Sequence, residues 1–154
     1  MVITQAGPAD CTALAETSKR AFDADVLVGA PAEGGPPGYD SVAWHQDALS
    51  AARVFTIGDG TGTVIGGAIV FPRSGDEAYL GRIWLVPECQ GKGLGALAMA
   101  ELERLFPQVG RWTLGTPTWN LRNQRFYTRC GYRVIGREGE DGVLFEKLAG
   151  IRTG

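Results

Sequence analysis

The chain has 154 residues, 44% of them hydrophobic, and its 15 Lys and Arg against 17 Asp and Glu give a formal net charge of −2. That balance excludes a general nucleic-acid binder, no apolar run reaches the length of a membrane span, and the size predicts one domain over residues 1–154. The N-terminus MVITQAGPAD lacks a signal-peptide layout, and Cys11, Cys89 and Cys130 lack metal-ligand spacing. Reduced thiols, no metal and a cytoplasmic protein are therefore expected.

VITQA (2–6) reads as a first strand. Pro8 suits the first turn of a helix, and Cys11, Leu14, Ala15, Ser18, Ala21 and Phe22 then fall on one face at helical spacing. GAPAEGGPPGYD (29–40) packs three prolines and four glycines into twelve residues and predicts an irregular, functional loop. A second helix is expected over 41–52. Strands follow at 53–57, 63–71 and 78–86, the first two joined by the turn GDGTG. Leu94, Leu97, Ala98, Leu102 and Leu105 have helical spacing up to Pro107. RWTLGT (111–116) reads as a strand and 120–130 as a helix, with Asn120 its cap and Gly131 at its end. Strands at 132–136 and 143–148 close the chain. The expected order is β-α-α-β-β-β-α-β-α-β-β, an α/β domain. Charge is uneven along it: residues 104 to 137 hold seven arginines and no acid, whereas residues 1 to 50 hold seven acids and two cations.

PECQGKGLG (87–95) runs from the end of a strand into a helix. Glycines there admit a ligand close to the backbone, and free helix N–H groups then point at an anion, as in phosphate sites. The nucleotide-triphosphate loop needs Ser or Thr after its Lys, but Lys92 is followed by Gly93. The dinucleotide fingerprint needs another spacing, placed after the first strand. A turn that only eases packing is the bland alternative.

LVPECQGKGLGA (85–96) resembles the acetyl-CoA signature of the Gcn5-related N-acetyltransferases, a strand ending in V-x-P and then Q/R-x-x-G-x-G/A. Gln90, Gly93 and Gly95 occupy its defining positions. NLRNQRFYTRCGY (120–132) resembles that family's later helix through Asn120, Asn123, Phe126, Tyr127, Gly131 and Tyr132. The resemblance covers nearly the whole chain. It implies a mixed, mostly antiparallel central sheet, with two parallel strands splayed apart at the coenzyme A site. The implied reaction moves an acetyl group from acetyl-CoA directly to a primary amine of a small molecule or peptide. Acetyl-CoA is the cosubstrate, with no metal, and dimers are common in the family, so a homodimer is one expectation.

By the same resemblance, the amides of Gln90, Gly91, Lys92, Gly93, Leu94, Gly95 and Ala96 hold the pyrophosphate. The strand edge at Trp84, Leu85 and Val86 pairs with the pantetheine arm and supplies an oxyanion donor, with Asn120 and Asn123 also near the cofactor. Tyr127 stands at the position of the general acid; the alternative is a packing aromatic on its helix. Arg122, Arg125 and Arg129 are candidates for the 3′-phosphate. Many relatives carry a Glu in the strand before the loop, where this chain has Tyr79. Glu77, just upstream, is the nearest candidate base, with Asp76 and His45 as alternatives, although a surface role suits His45 better. Cys130 reads as a core thiol, and Glu88 as solvated. Phe22, Tyr39, Trp44 and the 29–40 loop are candidate acceptor walls. The rival from another class is a non-catalytic acyl-CoA-binding sensor.

Overall fold

Continuous apolar strands joined by glycine turns build the first half of the sheet. A computed structural model describes residues 1–149. Strand β1 (Val2–Gln5) pairs antiparallel with β2 (Arg53–Gly58), and β2 with β3 (Val64–Pro72). β3 pairs in turn with β4 (Glu77–Leu85). The β2–β3 turn uses Gly60 and Gly62 at φ 93° and 100°, a backbone region that L side chains avoid. Strands β5 (Arg111–Pro117), β6 (Arg133–Glu138) and β7 (Gly142–Leu148) complete a seven-stranded sheet ordered β1-β2-β3-β4-β5-β7-β6. Every pair is antiparallel except β4 with β5.

Helices α1 (Cys11–Asp23) and α2 (Val42–Ala51) cover one face. Leu14 and Ala21 of α1 and Ala48 of α2 pack there on Val54, Ile69 and Trp84. The other face carries α3 (Leu94–Leu105) and α4 (Leu121–Arg129). Met99, Leu102 and Tyr127 pack there with Trp112, Leu114 and Phe145. The expected element order and mixed sheet are both present. The boundaries differ in detail. Pro8 leads a 3-10 turn (Pro8–Asp10), in which the Asp10 carboxylate accepts the Gly7 N–H at 2.8 Å, and α1 starts only at Cys11. A second 3-10 turn (Ala24–Val28) precedes the proline-rich loop. Leu97 and Leu105 share the helical spacing of α3 but lie exposed.

The parallel pair is short. β4 and β5 pair only from Glu77↔Arg111 to Tyr79↔Thr113. Just beyond, the β3–β4 register slips: Val70 faces Leu80 and Ile69 faces Arg82, so Gly81 is an extra residue. A bulge bends and twists its strand. Here it carries β4 away from β5 and leaves the remaining β4 edge unpaired.

Candidate active site

A cavity of about 570 Å³ lies beside that edge. Ile83, Trp84 and Leu85 of β4, the glycine turn, α3 and α4 form its walls, with Phe22 and Asp25 closing one side. The Val86 N–H is taken by the Ile65 carbonyl at 2.9 Å. Along a strand, backbone groups alternate in direction, so the N–H and C=O of Leu85 turn toward the gap. The Leu85 carbonyl is reached there by the Gln90 side-chain amide at 2.8 Å.

The glycine turn divides its labour. Gly91 and Gly93 adopt φ 72° and 82°, and a Cβ on either would project into open space. Gly93 caps α3, whose first helical bond runs from the Leu97 N–H to the Gly93 carbonyl at 3.2 Å. The N–H groups of Leu94, Gly95 and Ala96 therefore point out of the helix start, where the helix dipole favours an anion. Gly95 serves packing instead: a Cβ there would meet the Phe126 ring at 3.0 Å. Lys92 and Leu94 lie outside the cavity wall, and Lys92 is exposed.

Helix α4 supplies the opposite wall. Asn120, 1% exposed, caps it by accepting the Asn123 N–H at 3.0 Å. Asn123, Phe126 and Tyr127 line the cavity, whereas Asn120 does not. Tyr127 is 7% exposed. Burial raises its phenol well above the ordinary value, with a smaller upward push from Cys130, while Arg122 pulls the other way. Among the described residues, the Tyr127 hydroxyl has no hydrogen-bond partner. Arg122 Nη2 donates to Asp25 at 3.0 Å and its Nη1 donates to Gln90 at 3.0 Å. Burial raises the Asp25 carboxyl, and Arg122 opposes that shift. Arg129 also lines the cavity, but Arg125 turns to a shallow groove beside Val134.

Several expected residues stand elsewhere. Glu77 ion-pairs with Arg111 at 3.3 Å, at the end of β4 away from the glycine turn and outside the cavity wall. His45 is fully buried rather than at the surface. Its ring packs edge-on against Trp44 and Trp84, and burial lowers its pKa. Cys130 is half-buried: it packs against the core as expected and also lines the cavity. Glu88 is exposed and pairs with Arg20 at 2.6 Å. The 29–40 loop folds against the α1–α2 face: Tyr39 donates to Asp23 at 2.7 Å, and Arg82 donates to the Pro37 carbonyl at 2.6 Å while lying over Trp44. Sequence reasoning missed Asp25, whose partner Arg122 is 97 residues away, and Glu138, which accepts the Tyr79 hydroxyl proton at 2.9 Å. No local spacing signals either contact. Among the described residues there is no cluster of metal-ligating side chains.

Comparison with known proteins agrees with this architecture. The model of the Acetyltransferase (GNAT) family matches residues 19–132. An uncharacterized protein of Bacillus subtilis, YrkN, is 29% identical over 106 residues, covering 67% of this chain. The match spans only 56% of that relative's length. The fold is similar to that of the Thermoplasma acidophilum PaiA N-acetyltransferase in complex with coenzyme A, at TM-score 0.79 and 17% identity over 96% of this chain and 98% of that one. An acetyltransferase from Thermus thermophilus superposes at TM-score 0.79 with 18% identity, covering 96% of each chain.

Proposed function

This chain belongs to the acetyltransferase (GNAT) family, and from that premise we propose that it moves the acetyl group of acetyl-CoA directly to a primary amine of a small molecule or peptide. One observation carries the reading. The unpaired β4 edge, the open-space glycines at the α3 start and the Tyr127 phenol all face one cavity.

The parts divide the reaction among them. The amides of residues 91–96 receive the pyrophosphate, aided by the α3 dipole. The Ile83–Leu85 edge receives the pantetheine arm as an added strand. The amine nitrogen attacks the thioester carbon, and negative charge grows on the carbonyl oxygen. The Leu85 N–H, turned into the gap, is the nearest backbone donor for that oxygen. When the C–S bond breaks, its electron pair goes to sulfur. Tyr127 passes its proton to that sulfur, the acylated nitrogen loses its proton to water at the open side of the gap, and the phenolate takes a proton back from solvent. A phenol raised by burial keeps its proton throughout the neutral range, as a donor must. Trp84 acts through its backbone; its indole N–H is committed to Thr17 at 3.0 Å.

A pure acyl-CoA sensor would need the loop but no donor at the sulfur. Incubation with acetyl-CoA and a panel of primary amines, followed by free thiol, separates the two. Amine-dependent thiol release is expected. Tight acetyl-CoA binding with no release for any amine would leave the sensor reading in its place.

A further inference from the structure

If CoA fills the α3–α4 side of the gap, an amine must approach from the other face of the sheet. That inference rests on the acetyltransferase reading. On that face β4 presents Tyr79, and the strand's one carboxylate, Glu77, is spent on an ion pair with Arg111. A carboxylate nevertheless stands there, brought by another strand. Glu138, the last residue of β6, folds back over β5 and accepts the Tyr79 hydroxyl proton at 2.9 Å through both carboxylate oxygens. Gly115 makes the space: a Cβ at that position would collide with Glu138 Oε1. The carboxylate thus rests in a cradle formed by a glycine and a phenol, at the level where β4 and β5 part.

Neighbouring charges are already committed. Glu77 pairs with Arg111, and Glu146 with Arg111 and Arg133. Arg73 lies over the Tyr79 ring, 5.4 Å from its centroid. Among the described residues Glu138 makes no ion pair, and it remains exposed. Tyr79 is the last β4 residue paired with β5, so the carboxylate it holds stands at the start of the split between the two strands.

We propose that Glu138 is the acceptor-side anchor, binding the ammonium group of a cationic primary amine, with Tyr79 as the residue that positions it. A carboxylate facing an alkylammonium gains a charge-assisted hydrogen bond. An acceptor with a second ammonium group suits the site best, since one cation can stay on Glu138 while the other amine reacts.

The test is calorimetric titration with 1,4-diaminobutane, with and without saturating CoA, at low and high salt. The wild-type protein should bind the diamine. Glu138→Gln, isosteric and exposed, should bind it about fivefold more weakly with CoA affinity unchanged, and the gap should narrow at high salt. Glu138→Asp should restore part of the affinity. Tyr79→Phe should weaken binding by a smaller factor and leave the salt dependence in place. Absence of diamine binding by the wild type, or equal affinities for wild type and Glu138→Gln, would overturn the assignment. The acetyltransferase reading fails separately: a diamine bound through Glu138 but never acetylated would sink that reading and leave the ammonium site standing.

Discussion

Tyr127 sits in the core and in the cavity wall at once, and burial sets how it can act. Removing its hydroxyl alone leaves the ring that packs beside Tyr132 and Phe145. Tyr127→Phe should therefore fold normally, bind acetyl-CoA as before, and lose roughly a hundredfold in kcat. Steady-state kinetics beside a binding titration checks this; a matching loss of affinity would make it a cofactor-holding residue. Gly93 is the other decisive position. At φ 82° a β-branched residue is strained, and its side chain would occupy open space beside the free amides. Gly93→Val should abolish measurable acetyl-CoA binding in calorimetry while leaving the far-UV circular dichroism intact. Gly95→Val should behave differently and lower the melting temperature, because its clash is with Phe126.

At the scale of elements, the site is made where two helix starts meet a strand that leaves its partner. The β4 bulge at Gly81 opens the gap, and α3 and α4 line it from one side. Arg122 lines the cavity, Arg125 lines the groove by Val134, and Arg129 borders both. Arg122 is tied to Asp25 and Gln90, so of the α4 arginines on the cavity wall we propose Arg129 for the 3′-phosphate of CoA. Arg129→Ala should reduce affinity for CoA several-fold at low salt and leave dephospho-CoA unchanged, whereas Arg125→Ala should alter neither. Competition titrations with both ligands give the answer. These element-level features were legible to different degrees. Three glycines between a strand and an apolar helical run gave the expectation of an anion site, which the free amides at the α3 start suit, and N-x-x-N-x-x-F-Y marked the helix that forms the opposite wall. The packing role of Gly95 was not legible, because the ring that crowds a side chain there belongs to Phe126 of another helix.

At the scale of the whole molecule, local patterns carried the element order, and contacts between distant segments escaped them. His45 looked like a helix-surface residue, and only the Trp84 ring from β4 shows why it is buried. Glu138 and Tyr79 are 59 residues apart, and no local pattern signals that one side chain reaches over β5 to the other. The buried phenols also shape global stability. Burial raises Tyr127 and Tyr132, and pushes Tyr79 up to about 12 with help from Glu138. A phenol with a higher pKa folded than unfolded leaves stability untouched below the unfolded value near 10 and lowers it as pH rises beyond that value. Melting temperature should thus hold level from pH 7 to about 9.5 on account of these groups and fall steeply above about 10; a fall that tracked pH 8 to 9 instead would assign the transition to other groups. The central claim, direct transfer across the gap between β4 and β5, is tested most directly by a single turnover with isotope-labelled acetyl-CoA and a reactive primary amine, read by mass spectrometry of both product and protein. The label should appear on the amine nitrogen as an amide, with none on the protein, and should vanish from the product with Gly93→Val. Label retained on the protein, or an amine left unlabelled while acetyl-CoA is bound, would contradict it.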